Sequence, residues 1–316
     1  MIWENIIDKI LLKQDIRKRN KIINQLIKPK ELVLEVGSGS APMKRSTVLL
    51  DKFVCTIDIH RTNKQSINQF HGKPFILADG NKLPFKDKSF DTIICRHVIE
   101  HVDNPLEFLK ELQRVGKKGY IEFPSIFCEL IRGGFGNQVQ IRDMFPAVLK
   151  KHLADIEHGT GTPGHKWFIA PIKNRLYFVA KNKELYPLYL IYGAYAKSRE
   201  NKKYVRKLLG NRISYITWSP DKPIDGVFIS DNVTNDVSKS LNEKYKVLNQ
   251  IDFLEKTVPE NIIDPLQIQN IKKILCCHLC RDGELIVKTK WLHCSRCNRK
   301  YPVINGVPVM IDQVTD

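Results

Sequence analysis

The sequence predicts an α/β protein: a doubly wound parallel sheet, then a basic α+β insertion, then a small metal-binding module at the C-terminus. Three observations carry this. Short apolar runs with polar residues at their ends alternate with helical patterns over the first 124 residues. One of those runs, Glu31–Val36, passes directly into the turn Gly37-Ser38-Gly39-Ser40. Five cysteines crowd into positions 276–297. A chain of 316 residues has room for one large domain and one small one.

In chain order, residues 3–28 read as an amphipathic helix, because Ile6, Ile7, Ile10, Leu11, Ile22, Ile23, Leu26 and Ile27 recur at helical spacing among lysines and arginines. Runs 31–36, 53–58, 74–79, 90–95 and 119–123 read as buried parallel strands, the last closed by Pro124. Between the last two, Pro105–Val115 is helical. Residues 125–270 are less regular. Gly-rich loops are expected at 131–136 and 159–164, a strand-turn-strand at 166–180 and a helix at 185–209. A second hairpin is expected from 213–218 and 226–229. The expected division is therefore 1–124, a cofactor-binding core; 125–270, its remainder with a substrate-side insertion and basic helix; and 271–316, the terminal module.

Lys and Arg number 51 against 34 Asp and Glu, a net charge of +17 and a pI near 9.4. Such a field attracts polyanions without choosing among nucleic acid, anionic lipid and phosphorylated substrates. No run of about 18 apolar residues is present, so no transmembrane segment is expected. Glu4, Lys9, Lys13 and Asp15 interrupt the N-terminal apolar run and make it a poor signal peptide. Cys55, Cys95 and Cys128 stand alone, while the other five cluster. That is a metal-type distribution, expected of a reduced, cytoplasmic setting.

In an open α/β sheet, ligands bind at the C-terminal strand ends. There the Gly37–Gly39 turn lets a ligand approach the backbone, and the helix start that follows offers N–H groups to a carboxylate. Asp58, followed by Ile59, ends the expected second strand, where a carboxylate can accept both ribose hydroxyls. Asp79 ends the third, placed to accept from an adenine amino group. A glycine pair alone is weak evidence, since nicotinamide cofactors use similar turns.

The order of these pieces from Leu32 to Pro124 resembles the class I S-adenosylmethionine-dependent methyltransferases, especially the subgroup of quinone-biosynthesis enzymes. The matching segments are LVLEVGSGSA (32–41), TIDIH (56–60), ADGNKLPF (78–85) and SFDTIICRHVIEHVDNP (89–105). The resemblance implies a Rossmann-like fold and S-adenosyl-L-methionine as cofactor. It assigns the cofactor loop to Glu35, Gly37, Ser38 and Gly39, the ribose acid to Asp58, and the adenine side to Asp79 and Gly80. It sets Arg96 and His97 beside cofactor and substrate. Ala41 stands where the family usually has a third glycine. His97, Glu100 and His101 are catalytic candidates, as a base for a hydroxyl or amine acceptor. For Glu100 and His101 a second reading is open, that they buttress the helix start at Asn104-Pro105. Some quinone O-methyltransferases bind a divalent metal here through Glu-x-x-Glu-His, and His97 at the first position departs from that pattern. His165 and Trp167, beside a Gly-rich loop with His158, are expected to touch the acceptor; the other reading sets Trp167 in the core.

Cys277-x-x-Cys280 and Cys294-x-x-Cys297 bracket thirteen residues. Two such pairs bring four thiolates to one ion and close a tetrahedral, structural zinc site. With Tyr301-Pro302-Val303 and Gly306-Val307-Pro308 following, the module resembles the small zinc-ribbon activators of tRNA, rRNA and release-factor methyltransferases. That resemblance implies docking by strand pairing and apolar contact, with stabilisation of the catalytic domain.

The acceptor is less legible. Tyr186, Tyr189, Tyr192 and Tyr195 recur every three residues and are followed by Lys197, Arg199, Lys202, Lys203, Arg206 and Lys207. That arrangement suits an anionic membrane surface and a small-molecule, sugar or lipid-linked acceptor. It equally suits stacking and phosphate contacts to tRNA or rRNA, or a core helix with a solvated end. A non-catalytic module that keeps the cofactor fold is the third reading.

Overall fold

The computed structural model describes residues 2–39, 41–54, 72–126, 128–129, 165–181, 213–230, 254–256, 265–288 and 290–311. The 185–209 helix, both Gly-rich loops, Cys55, Asp58, Ile59 and His158 lie outside the described residues.

Helix α1 spans Ile2–Leu26 and leads into β1, Val33–Val36. Then come β2 (Val48–Asp51), β3 (Phe75–Ala78) and, after a single 3₁₀ turn at Gly80–Lys82, β4 (Phe90–Arg96). Helix α2 (Pro105–Val115) starts at Asn104, whose side chain accepts the Glu107 N–H, with Pro105 pre-set for the first turn. It buries Phe108, Leu109, Leu112 and Val115 and runs into β5, Gly116–Pro124. Strands β6 (Trp167–Ile172), β7 (Arg175–Ala180), β8 (Ile213–Trp218) and β9 (Asp225–Ser230) follow. Helix α3 (Pro265–Lys272) precedes β10 (Leu285–Lys288), β11 (Trp291–Cys294), β12 (Lys300–Ile304) and β13 (Val307–Met310).

The large sheet runs β10-β11-β12-β13-β3-β2-β1-β4-β5-β8. Strands β1 to β5 are mutually parallel, and β8 is antiparallel to β5. The chain steps from β1 outward to β3, then returns past β1 to β4 and β5. The order therefore reverses between β1 and β4, and that reversal opens the crevice at the strand C-termini. On one face of the sheet Leu34, Val36, Ile76, Ile93, Cys95 and Phe123 pack against Phe108 and Leu112 of α2. On the other, Ile23 of α1 and Ile27 just after it cover Val33, Ile94 and Tyr120.

Two expectations are corrected. The second strand is Val48–Asp51; of the expected run 53–58, Phe53 and Val54 lie outside it and 55–58 lie outside the described residues. Both runs are apolar and end in an acid. The nearer one takes the place beside β1, where Leu49 and Leu50 register against Glu35 and Val36. The expected hairpin of 213–218 with 226–229 does not form: β8 pairs with β5, while β9 joins β7 in parallel in a separate sheet of order β6-β7-β9. Alternation alone cannot name a strand's partner. The 166–180 hairpin forms as read.

The C-terminal module continues the large sheet. Val309 and Met310 register in parallel against Leu77 and Ala78. Its Leu285, Leu292, Tyr301 and Met310 join the α2-side core, and Val307 and Val309 join Leu49, Phe75 and Leu77 on the other face. A second seam lies at its entrance, where the Cys276 N–H donates to Pro84 O (3.0 Å) and the Lys86 N–H to Ile274 O (2.9 Å).

Candidate functional site

The turn after β1 is held from below. Glu35 is fully buried, and its carboxylate faces the protein's own donors. Oε2 accepts the Met43 N–H (2.7 Å) and the Ser46 hydroxyl (2.6 Å), and Oε1 accepts Arg96 Nη2 (2.6 Å). Arg96 also donates to Ala41 O (2.9 Å). Both residues, expected at the cofactor, brace the loop that would receive it. Gly37 has φ +70°, and a Cβ there would lie 2.1 Å from Val98 Cγ2, so any side chain at this position is strained and must displace Val98. Ser38 is buried.

Asp51, which the sequence reading passed over, occupies the tip of β2 beside this turn. Its Oδ2 accepts the Gly39 N–H (2.9 Å) and its Oδ1 the Phe53 N–H (3.1 Å). Burial pushes its carboxyl above the usual range. The run Val48-Leu49-Leu50-Asp51 was the signal, an apolar stretch ending in an acid twelve residues after Gly39. Asp79 caps the 3₁₀ turn that begins at Gly80, accepting from the Asn81 backbone (2.9 Å) and side chain (3.0 Å), and pairs with Lys52 (2.7 Å). Burial pushes Asp79 up, but the Lys52 ammonium and the Asn81 donors outweigh it and hold its carboxyl low.

At the tip of β4, His97 adopts φ +55°, an uncommon conformation for a side chain of its size. It is held at three points. Its N–H donates to Glu122 O (2.8 Å), Nδ1 meets Glu100 Oε1 (3.2 Å) and Nε2 lies 3.4 Å from Glu122 Oε1. Burial alone would lower its pKa; the two carboxylates push it up to about 9. Both ring nitrogens of His97, expected as a base, thus face carboxylates of the protein itself. Glu122 also accepts Tyr120 Oη (2.6 Å) and faces Arg19 of α1 (3.4 Å).

Beyond it, Glu100, His101 and His165 come together, their ligand atoms all within 4.8 Å of one another. The His101 and His165 rings meet edge to face at 4.5 Å. His165 Nδ1 contacts Glu129 Oε1 (2.6 Å), and Glu129 also pairs with the buried Lys181. Trp167 does not face this group. It is buried, its indole N–H donates to Val102 O (2.8 Å), and its ring packs on Phe178 and Phe228. This is the core reading of Trp167.

In the terminal module, Cys277, Cys280, Cys294 and Cys297 also lie within 4.8 Å of one another and could hold a metal ion. The Sγ–Sγ separations of 3.6 Å (Cys277–Cys297) and 3.5 Å (Cys280–Cys294) fit it. Four thiolates at about 2.3 Å from zinc lie about 3.8 Å apart. A Cβ on Gly283 would sit 2.0 Å from Cys294 Sγ, so the turn closes only over glycine. Burial pushes the Cys277 thiol up, but the Cys280 amide and the Tyr301 hydroxyl, 3.0 Å away, draw it down to about 7.

Residues 34–121 match the family model for a methyltransferase domain. The matched segment, which forms the parallel part of the mixed α/β, Rossmann-like sheet, is thus similar to a methyltransferase domain. Over 91 residues the chain is 32% identical to the uncharacterized protein MJ1123 of Methanocaldococcus jannaschii, covering 29% of this chain and 42% of that protein. Over 93 residues it is 29% identical to the demethylmenaquinone methyltransferase of Streptomyces griseus, covering 29% and 40%. The chain thus spans about two fifths of the length of these curated relatives. Among solved structures, the PH0226 protein of Pyrococcus horikoshii superposes with a TM-score of 0.33 at 17% identity, covering 66% of this chain and 91% of that one. Among the described residues no helix is long and apolar enough to cross a membrane.

Proposed function

We propose that this chain transfers a methyl group from S-adenosyl-L-methionine to a small-molecule, sugar or lipid-linked acceptor. The supporting observation is the crevice where the strand order reverses: the Gly37–Gly39 turn, Asp51 and Asp79 line up along consecutive parallel strand tips within the matched segment. In this reading the Gly37–Gly39 backbone receives the amino-acid part of the cofactor, Asp51 accepts the ribose hydroxyls, and Asp79 with Gly80 bounds the adenine. The ribose role expected of Asp58 and Ile59 falls to Asp51, because β2 ends there.

The cofactor supplies a sulfonium-activated methyl. The protein's part is to hold the acceptor nucleophile in line with it and to exclude water. Arg96 and Glu35 keep the loop rigid, and His97 presents a fixed cation. Glu100, His101 and His165 are the groups at hand to receive the proton that an oxygen or nitrogen acceptor loses. The terminal cysteines hold structural zinc, and their module stabilises the domain through β13. A cytoplasmic location fits a chain with this cysteine distribution.

Equilibrium dialysis with labelled cofactor tests the reading. Wild-type protein should bind it, and Asp51→Ala should weaken binding at least tenfold, while Asp58→Ala should change it little. The reverse order would return the ribose role to Asp58. No binding at all would leave only a non-catalytic module with a cofactor-type fold.

A second reading, methylation of tRNA or rRNA, is favoured by the net charge of +17. It requires RNA to co-purify and to be lost steeply with salt. A preparation free of RNA at low salt removes it, and binding to anionic vesicles under the same conditions supports the lipid-linked acceptor.

A further inference from the structure

We propose that Glu100, His101 and His165 form a second metal site, separate from the cysteine cluster, that takes one divalent first-row transition ion. The three ligand atoms already lie within 4.8 Å of one another. An ion about 2.1 Å from each sets neighbouring ligands about 3–3.5 Å apart, so binding would draw the three side chains slightly closer together.

Three features mark the cluster as a built site. Glu100 is buried, and while its Oε1 is engaged by His97, its Oε2 is buried with no hydrogen-bond partner. A carboxylate oxygen left so is costly unless something positive meets it. His165 is oriented from behind: Glu129 contacts its Nδ1 at 2.6 Å, leaving Nε2 as the ligand atom, and Lys181 fixes Glu129 in turn. This is the carboxylate–histidine arrangement that supports metal-bound imidazoles. The backbone also ties the two halves together, since the Lys166 N–H donates to Glu100 O (2.7 Å). His165, at the foot of β6, thus reaches a loop that follows β4.

The ligand set differs from Glu-x-x-Glu-His. His97 is turned toward Glu122, so the third ligand comes from a distant segment instead. Two imidazoles with one carboxylate favour manganese, iron, cobalt or zinc over magnesium or calcium, which prefer all-oxygen sites. Three protein ligands leave coordination positions open for water or an acceptor oxygen. The site stands on its ligands whatever the reaction. Only its placement beside the acceptor rests on the methyltransferase reading, in which the ion rather than an imidazole base would lower the acceptor's pKa.

The test titrates Co²⁺ into the full-length protein carrying one zinc per chain, without adenosylmethionine, by calorimetry and visible absorption. One further Co²⁺ per chain should bind, with d–d bands but without the thiolate charge-transfer band that exchange into the cysteine site would add. His165→Ala and His101→Ala should each weaken it at least tenfold while zinc content and far-UV circular dichroism stay unchanged. If His165→Ala fails to fold, the exposed His101 alone decides. Wild-type protein that takes up no second ion, or a folded His101→Ala that binds within twofold of wild type, overturns the proposal. Neither result bears on cofactor binding, which is measured separately.

Discussion

Glu111 is one residue through which the terminal module is held to the parallel sheet and its helix, and replacing it should show how much that contact contributes. Its carboxylate accepts Arg114 Nε and Nη2 (both 2.9 Å), Arg281 Nη1 of the cysteine-rich turn (2.8 Å) and the buried N–H of Leu83 (3.0 Å). In Glu111→Ala the Leu83 N–H loses its acceptor, at about 1–3 kcal/mol. Arg114 keeps Asp87, Phe85 O and Leu83 O, so its loss is partial. The expected destabilisation is about 3 kcal/mol. Arg281→Ala should cost far less. Its side chain is 42% exposed, and Glu111 retains both bonds from Arg114, so screening holds the pair to about 0.5–1 kcal/mol. Urea unfolding followed by far-UV circular dichroism, with zinc present, measures both. In the double variant the Arg281 increment should vanish, because its partner is already gone. A Glu111→Ala loss below about 1 kcal/mol, or an undiminished Arg281 increment in its absence, would refute the assignment. Leu83 directly follows the turn that Asp79 caps, so cofactor affinity should fall with Glu111→Ala as well.

Three further outcomes follow from the same contacts. Gly37→Ala should abolish cofactor binding in dialysis, since its Cβ would lie 2.1 Å from Val98 at a backbone angle that L-residues rarely adopt; retained affinity would place the cofactor elsewhere. Stripping metal from the cysteine cluster with a chelator should lower the thermal midpoint of the whole chain in one transition, because β13 is hydrogen-bonded to β3 in the same sheet; two separate transitions in differential scanning calorimetry would show independent modules. Although burial pushes the Glu111 carboxyl up, Arg114 and Arg281 outweigh it and hold the group below its ordinary 4.5. Its contribution to stability is therefore complete above pH 4.5 and is lost as pH falls through the lower folded value, so Glu111→Ala should flatten the acid limb of a stability–pH curve.

Local patterns reveal elements, and they did so here where each element is self-sufficient. Asn104 with Pro105 begins α2 at the residue expected, since capping is decided within four residues. Strands β1, β3 and β4 are apolar runs buried on both faces and need no knowledge of their neighbours to be seen. The two cysteine pairs specify their own cluster, because two tight turns suffice to aim four thiols at one point.

Pairing is a different matter. Two apolar runs compete for the second strand, and only register against Glu35 and Val36 gives the place beside β1 to 48–51, which is why Asp51 is the proposed ribose acid. Strands β8 and β9 show the same alternation, yet one closes the large sheet and the other pairs with β7.

What the sequence determined by itself is the chemistry available: glycines at a strand end, acids at strand tips, four thiols at metal spacing and histidines after β4. What the tertiary structure alone decided is where that chemistry points. Glu35 turns inward to Arg96, His97 becomes a cation between two glutamates, and His165 arrives beside Glu100 from beyond α2. The physical reason is range. Turns, caps and cysteine pairs are settled by near neighbours, whereas a side chain's charge and direction depend on which distant strand lies beside it.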